Sequence, residues 1–174
     1  MGGISVKMIT LLIIGLPQSV LAVLAVQFFT KTKIDIKKFL LISLICAVST
    51  YLFRLLPIAI GVNTVLTLFV IIVSFQFIYR NQLSKVINVI ISAVVSFILI
   101  VISEVCNMLL LTLIYGGYDE ASKLLNSKNG LTQALSGIPA DIFFAIFIFV
   151  GYYILNKIEA RKMKDGETGK ETGE

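Results

Sequence analysis

Three charged side chains stand inside, or at the rim of, stretches that are otherwise apolar: Arg54, Glu104 and Asp141. A charge in a hydrocarbon setting is costly, so each needs a partner or a purpose. One cation and two carboxylates can neutralise one another and lock a bundle, snorkel to the interface, or line a pocket that receives a ligand. The amides Asn63 and Asn107 extend the set, making Arg54, Asn63, Glu104, Asn107 and Asp141 the candidate ligand-binding residues. Enzymatic chemistry is poorly served. The chain has no histidine, which removes the commonest general base and metal ligand. It has no Ser-His-Asp set, no P-loop and no paired acidic motif. The expectation is a non-enzymatic protein with no catalytic residues, no metal and no cofactor.

The elements that must hold these groups are apolar helices. Met8–Thr30, Phe39–Phe53, Leu55–Tyr79 and Val86–Ser103 carry no charge, and Ile142–Asn156 is a fifth such run before a charged tail. Hydrophobic residues make up 57% of the 174, and charged residues 14%, against about 25% in a typical soluble domain. A helix needs about 20 apolar residues to cross the hydrocarbon core. The expected fold is therefore an all-α integral membrane protein. Residues 1–158 form a bundle of five transmembrane helices at about 8–29, 39–56, 60–79, 86–110 and 139–158. The first run is too long for the apolar part of a signal peptide. Residues 159–174 form a charged tail, expected to be disordered beyond Lys164.

Charge distribution then orients the bundle. Five spans put Lys31, Lys33, Lys37, Lys38, Arg80, Lys85, Lys157, Arg161, Lys162, Lys164 and Lys170 on one side, and Lys7, Arg54, Lys123 and Lys128 on the other. The N-terminus is expected outside and the C-terminus in the cytoplasm. The net charge of +5 reads as topology and attraction to anionic lipid, not nucleic-acid binding, because the basic residues are spread over three loops. At about 1.5 Å per residue, Arg54 lies roughly 22 Å and Glu104 roughly 27 Å from the cytoplasmic edge. Asp141 opens the last helix from the outside. All three are expected at one outer level.

Smaller signals refine the picture. Asn88, Ser92, Ser96, Ser103 and Asn107 fall on one face of the fourth helix. The stripe reads as helix contact in lipid or as a polar conduit. Glu104 borders it and is expected to point into the bundle. Pro17 kinks the first helix or marks its true start, with Gln18 free to serve a released carbonyl. Pro57 ends the second helix, Gly61 and Asn63 make the outer turn, and Thr64 opens the third. Gly116 and Gly117 break the fourth. Ala121, Leu124 and Leu125 share one helical face, as do Leu131, Ala134 and Leu135. These predict two short amphipathic helices on the outer surface, the first stopped by Asn129 and Gly130, with Pro139 opening the last span. Cys46 and Cys106 are isolated in apolar runs and read as buried, inert residues.

The segments RLLPIAIGVNT (54–64), LPQS (16–19), KTKIDIKK (31–38) and GIPADI (137–142) together resemble the N-terminal membrane region of sensor histidine kinases from low-GC Gram-positive bacteria, of the kind related to peptide-pheromone receptors. The resemblance covers roughly residues 8–160. It implies a bacterial cytoplasmic membrane, a small ligand or peptide arriving from outside, and ligand contacts at Arg54, Pro57, Asn63, Glu104 and Asp141. The chain departs from that family after Arg161, where no phosphoacceptor histidine and no ATP-binding domain follow. A stand-alone sensor-like or regulatory protein, paired with a histidine kinase or another membrane or cytoplasmic partner, is therefore expected rather than a kinase. Two alternatives stay open. One is the substrate-binding subunit of a vitamin transporter of the energy-coupling-factor type. Such subunits usually have six helices and two alanines four apart in the first, whereas Ala22 and Ala25 are three apart. The other is a ligand-free membrane scaffold.

Overall fold

In hydrocarbon every peptide N–H and C=O must find a partner within its own segment, so apolar runs of this length fold as helices. The computed structural model describes residues 13, 15–33, 35–55, 60–79, 83–127 and 129–171, of which 54–55, 60–64, 83–85 and 162–171 are described by backbone alone. Helix takes up 93% of the structure and no strand occurs among the described residues. Among the described residues six α-helices follow in order: α1 Leu16–Thr30, α2 Ile36–Leu55, α3 Ile60–Tyr79, α4 Leu83–Tyr115, α5 Tyr118–Leu125 and α6 Gly130–Glu171.

Helices α1 to α4 form a ring in which each packs on the next and α4 closes on α1. Helix α6 lies along the seam between α1 and α4, and α5 bridges α4 to α6. Gln27 meets Tyr79 and Lys31 meets Glu159 at one end, while Asn107 meets Ser136 towards the other. Successive long helices therefore alternate in direction. The α1 helix is the hub: Ala22, Val23, Ala25 and Val26 are buried against Ile42, Cys46, Ile71, Phe75, Val89, Ala93, Phe144 and Ile148. Small residues there let backbones approach, which drives helix association where lipid is as apolar as the side chains. Gly151 does the same for α6, since a β-carbon there would come within 3.3 Å of the Phe29 ring.

Three helices are long and apolar enough to cross a membrane, over Ile36–Phe53, Val86–Tyr115 and Gly130–Arg161. Leu16–Thr30 and Val65–Tyr79 are apolar but shorter. Residues 8–12 and 14, which the sequence assigns to the first span, lie outside the described residues. The outward faces are largely apolar: Leu113 is 83% exposed, Phe77 78% and Ile36 70%. Water does not support such a surface, and lipid does.

The helix ends amend several expectations. Pro17 stands in the first turn of α1, the position where its missing N–H costs least, and the backbone just before it, at residues 13 and 15, is wound as π-helix. The nearby carbonyl of Gly15 is taken by Ser19 Oγ at 2.6 Å, and Gln18 is half-buried. Asp35 caps α2, its Oδ1 accepting from Lys37 N–H at 3.1 Å. Pro57 lies outside the described residues, while Gly61, Asn63 and Thr64 belong to the first turn of α3 rather than to the turn before it. Gly116 ends α4 with φ +76°, a left-handed conformation that glycine reaches freely. Gly116→Ala is expected to cost about 1 kcal/mol, read from the shift in a detergent unfolding titration.

Of the two expected outer helices only α5 is separate. Ala121 is its buried face, and Asp119, Glu120 and Lys123 suit its dipole. Asn129 does not stop α5. Its Oδ1 accepts from Leu131 N–H at 3.1 Å and so caps α6. Residues 130–138 are the opening turns of α6, with Ala134 buried but Leu131 52% and Leu135 55% exposed, so these three do not share a packed face. Pro139 lies inside α6 instead of opening it. It withdraws the donor that would reach the Leu135 carbonyl, and a neighbouring helix serves that turn: Asn107 Nδ2 donates to the Ser136 carbonyl at 3.0 Å. At the far end α6 continues to Glu171 where a disordered tail was expected. The helix-forming run EARKMK lets a nucleated helix propagate past the membrane edge.

Candidate functional site

The two carboxylates fall on adjacent turns of α4 and α6. Ser103 and Asn107 on α4 are buried at 1% and 3% exposure, one turn apart on the same face. Because α6 runs antiparallel, Asn107 faces Ser136, and Asp141 falls beside the turn that carries Ser103 and Glu104. Asp141 is 9% exposed and lies close enough to Glu104 for the two charges to act on each other. Glu104 itself is exposed, not directed into the bundle as expected. Its neighbour Ser103 holds the seam, and one residue of helix turns the side chain by about 100°. Asn107 Oδ1 is buried without a hydrogen-bond partner. Two carboxylates and a bare amide oxygen thus share one seam, all acceptors when ionised. That set suits a cationic group: an ammonium, a guanidinium or the amine of a peptide. No cluster of three metal-ligating residues occurs among the described residues.

The remaining candidates stand on the other side of the ring. Arg54 belongs to the last turn of α2 and Asn63 to the first turn of α3, and neither side chain is among those described. Helix α2 packs on α1 and α3, diagonally across from α4. The structure therefore brings Glu104, Asn107 and Asp141 together and leaves Arg54 and Asn63 at the same end on a different pair of helices.

The polar stripe on α4 is a contact face. Ser92, Ser96, Ser103 and Asn107 are buried, while Asn88 is exposed beyond them. Ser96 Oγ donates to the Ser92 carbonyl at 2.7 Å and Ser103 Oγ to the Leu99 carbonyl at 2.6 Å. Hydroxyls turned back onto their own helix offer small, satisfied contacts and not a conduit. Cys46 is buried, as its surroundings predicted, and Cys106 is half-buried.

A second polar cluster, not anticipated from the sequence, sits at the opposite end of α1 and α6. Gln27 is 1% exposed, and its Nε2 donates to Tyr79 Oη at 2.6 Å. The α1 helix ends at Lys31, which adopts a left-handed conformation with φ 53°. Lys31 pairs with Glu159 of α6. Both are half-exposed, so the pair is worth on the order of 0–1 kcal/mol and is easily exchanged. Phe28 and Tyr152 pack with ring centroids 4.7 Å apart. The readable signal was Gln27 itself, an amide inside an apolar run one turn before a basic loop. Comparison of the chain with protein families, with curated proteins and with solved structures finds no match.

Proposed function

We propose that this chain is a non-catalytic, multi-pass protein of the bacterial cytoplasmic membrane, a sensor-like or regulatory subunit. It receives a cationic small ligand or peptide on Glu104 and Asp141 at the outer leaflet. Five helices cross the bilayer, α1 to α4 and α6, with the N-terminus outside and the C-terminus in the cytoplasm. The alternating helix directions and the eleven Lys and Arg at one end against four at the other support this orientation. The apolar segments of α1 and α3 are short for a crossing, and the hub position of α1 in the ring favours its being a span.

One observation carries the sensor reading: α6 is unbroken from Asp141 to Glu159. Those 18 residues measure about 27 Å, close to the thickness of the hydrocarbon core. A rigid rod thus joins an acidic cluster at one face to an exchangeable ion pair at the other, and a ligand that shifts its outer end also moves its inner end. The vitamin-transporter and scaffold readings offer no use for that link.

The test is gentle affinity purification from the native host followed by native mass spectrometry. A co-purifying histidine kinase or response regulator, or a bound peptide or amine, is the expected outcome. A pair of ATPases with a large membrane partner makes the chain a transporter subunit. Lipid alone leaves the scaffold reading standing.

A further inference from the structure

The cluster at the inner end of the bundle surrounds an open cleft of about 460 Å³ between the end of α1, the Lys31–Lys33 turn and α6. That volume falls within the ~300–1,000 Å³ of small-ligand clefts. We propose that this cleft binds a phosphate-bearing anion, which takes the place of the Glu159 carboxylate on Lys31. The proposal needs the membrane architecture but not the outer ligand, so the two stand or fall separately.

Lys31 and Lys33 supply two ammonium groups at its mouth, and Asn156 adds an amide from α6. The Lys31 ammonium already holds a carboxylate, so an anion is seated at this point in the structure as it stands. That carboxylate comes from a half-exposed side chain that leaves at little cost.

Gln27 also lines the cleft and is almost fully buried. Its Nε2 is held by Tyr79 Oη at 2.6 Å, so the side chain forms a fixed floor under the cleft. Two ammonium groups and the Asn156 amide around one recess suit a phosphate.

The surroundings suit a lipid headgroup. The Phe28–Tyr152 pair lines the cleft, and Tyr153, Ile154 and Ile158 are exposed on the adjoining face of α6 as a lane for acyl chains. Basic recesses between helices on the cytoplasmic side recognise anionic headgroups in this manner. A soluble phosphoryl compound uses the same donors, and the experiment separates the two.

The full-length protein is purified in a non-ionic detergent and offered equal amounts of phosphatidylglycerol and phosphatidylcholine, and retained lipid is counted by native mass spectrometry. Phosphatidylglycerol is expected to be favoured about thirtyfold, the order set by two interfacial lysines. Lys31→Ala with Lys33→Ala is expected to abolish the preference, and Lys37→Ala with Lys157→Ala, equal in charge but outside the cleft, to preserve it. Glu159→Gln, an exposed change that leaves the core intact, is expected to raise retention by removing the competing carboxylate. No lipid preference, together with a melting temperature raised by inorganic phosphate in the wild type but not in the Lys31/Lys33 variant, assigns the site to a soluble phosphoryl compound. Absence of both responses overturns the proposal. So does an equal loss in both lysine pairs, which means charge alone. A Glu159→Gln variant that retains no more lipid than the wild type overturns the exchange with Glu159.

Discussion

Replacing Ile98 with aspartate is expected to remove most of the protein from the membrane fraction. Ile98 lies near the middle of the Val86–Tyr115 span and is 49% exposed on the outer face of α4. On a soluble bundle an aspartate at such an exposed site stays within about 0.5 kcal/mol. At the centre of a bilayer an aspartate costs about 2.5–3.5 kcal/mol for insertion, and the lost isoleucine adds a few tenths. A helical membrane protein has only a few kcal/mol to spare, so the substitution should convert folded, carbonate-resistant protein into degraded or aggregated chains. Tyr118→Asp is the control. Tyr118 is equally outward at 63% exposure, but it opens α5 beyond the span, where an acid meets the positive end of a helix dipole. That variant should accumulate normally. Equal tolerance of both substitutions would mean that the apolar belt faces something other than lipid.

The apolar belt was legible in the sequence because hydropathy is additive along the chain, and the requirement that lipid places on the backbone leaves only helix as the outcome. The break at Gly116 was legible for a local reason, the left-handed conformation that follows α4. What escaped was decided by neighbours. Pro139 reads as a helix opener in isolation, yet it is internal, because Asn107 on another helix serves the turn it disturbs. Asn129 reads as a stop and acts as a cap, a difference that depends on which side of it the backbone turns helical. Glu104 reads as inward from its neighbours on the stripe, but one position of helical rotation carries it to the rim. Of the candidate site, the meeting of Glu104, Asn107 and Asp141 follows from antiparallel register between α4 and α6. A sequence cannot state that register until the length of the α5 connection is known. The Gln27 cluster escaped for the same reason, since its partners Tyr79 and Glu159 lie on helices far away in the chain.

Asp141→Asn is expected to make the protein more stable and less functional at once. Asp141 is 9% exposed with Glu104 acting on it, and two like charges on one seam repel. Glu104 is exposed, so solvent screens much of that, and a gain on the order of 1 kcal/mol is the realistic expectation, or about 2–4 °C in melting temperature for a chain of this size. Glu104→Gln removes the same repulsion. The double variant should give little more, because either change alone removes the repulsion. In parallel, any cationic peptide or amine that co-purifies with the wild type should fall by more than about tenfold in each single variant, as when a charge-assisted contact of about 1.5–3 kcal/mol is lost. Stability gained while binding is lost is the mark of groups kept for a ligand at the expense of the fold. The opposite pattern is equally informative. If both variants melt lower, the carboxylates are held by a cation of the protein itself, and Arg54 becomes the one to examine. The outer charges would then lock the bundle, and α6 would carry no message from them.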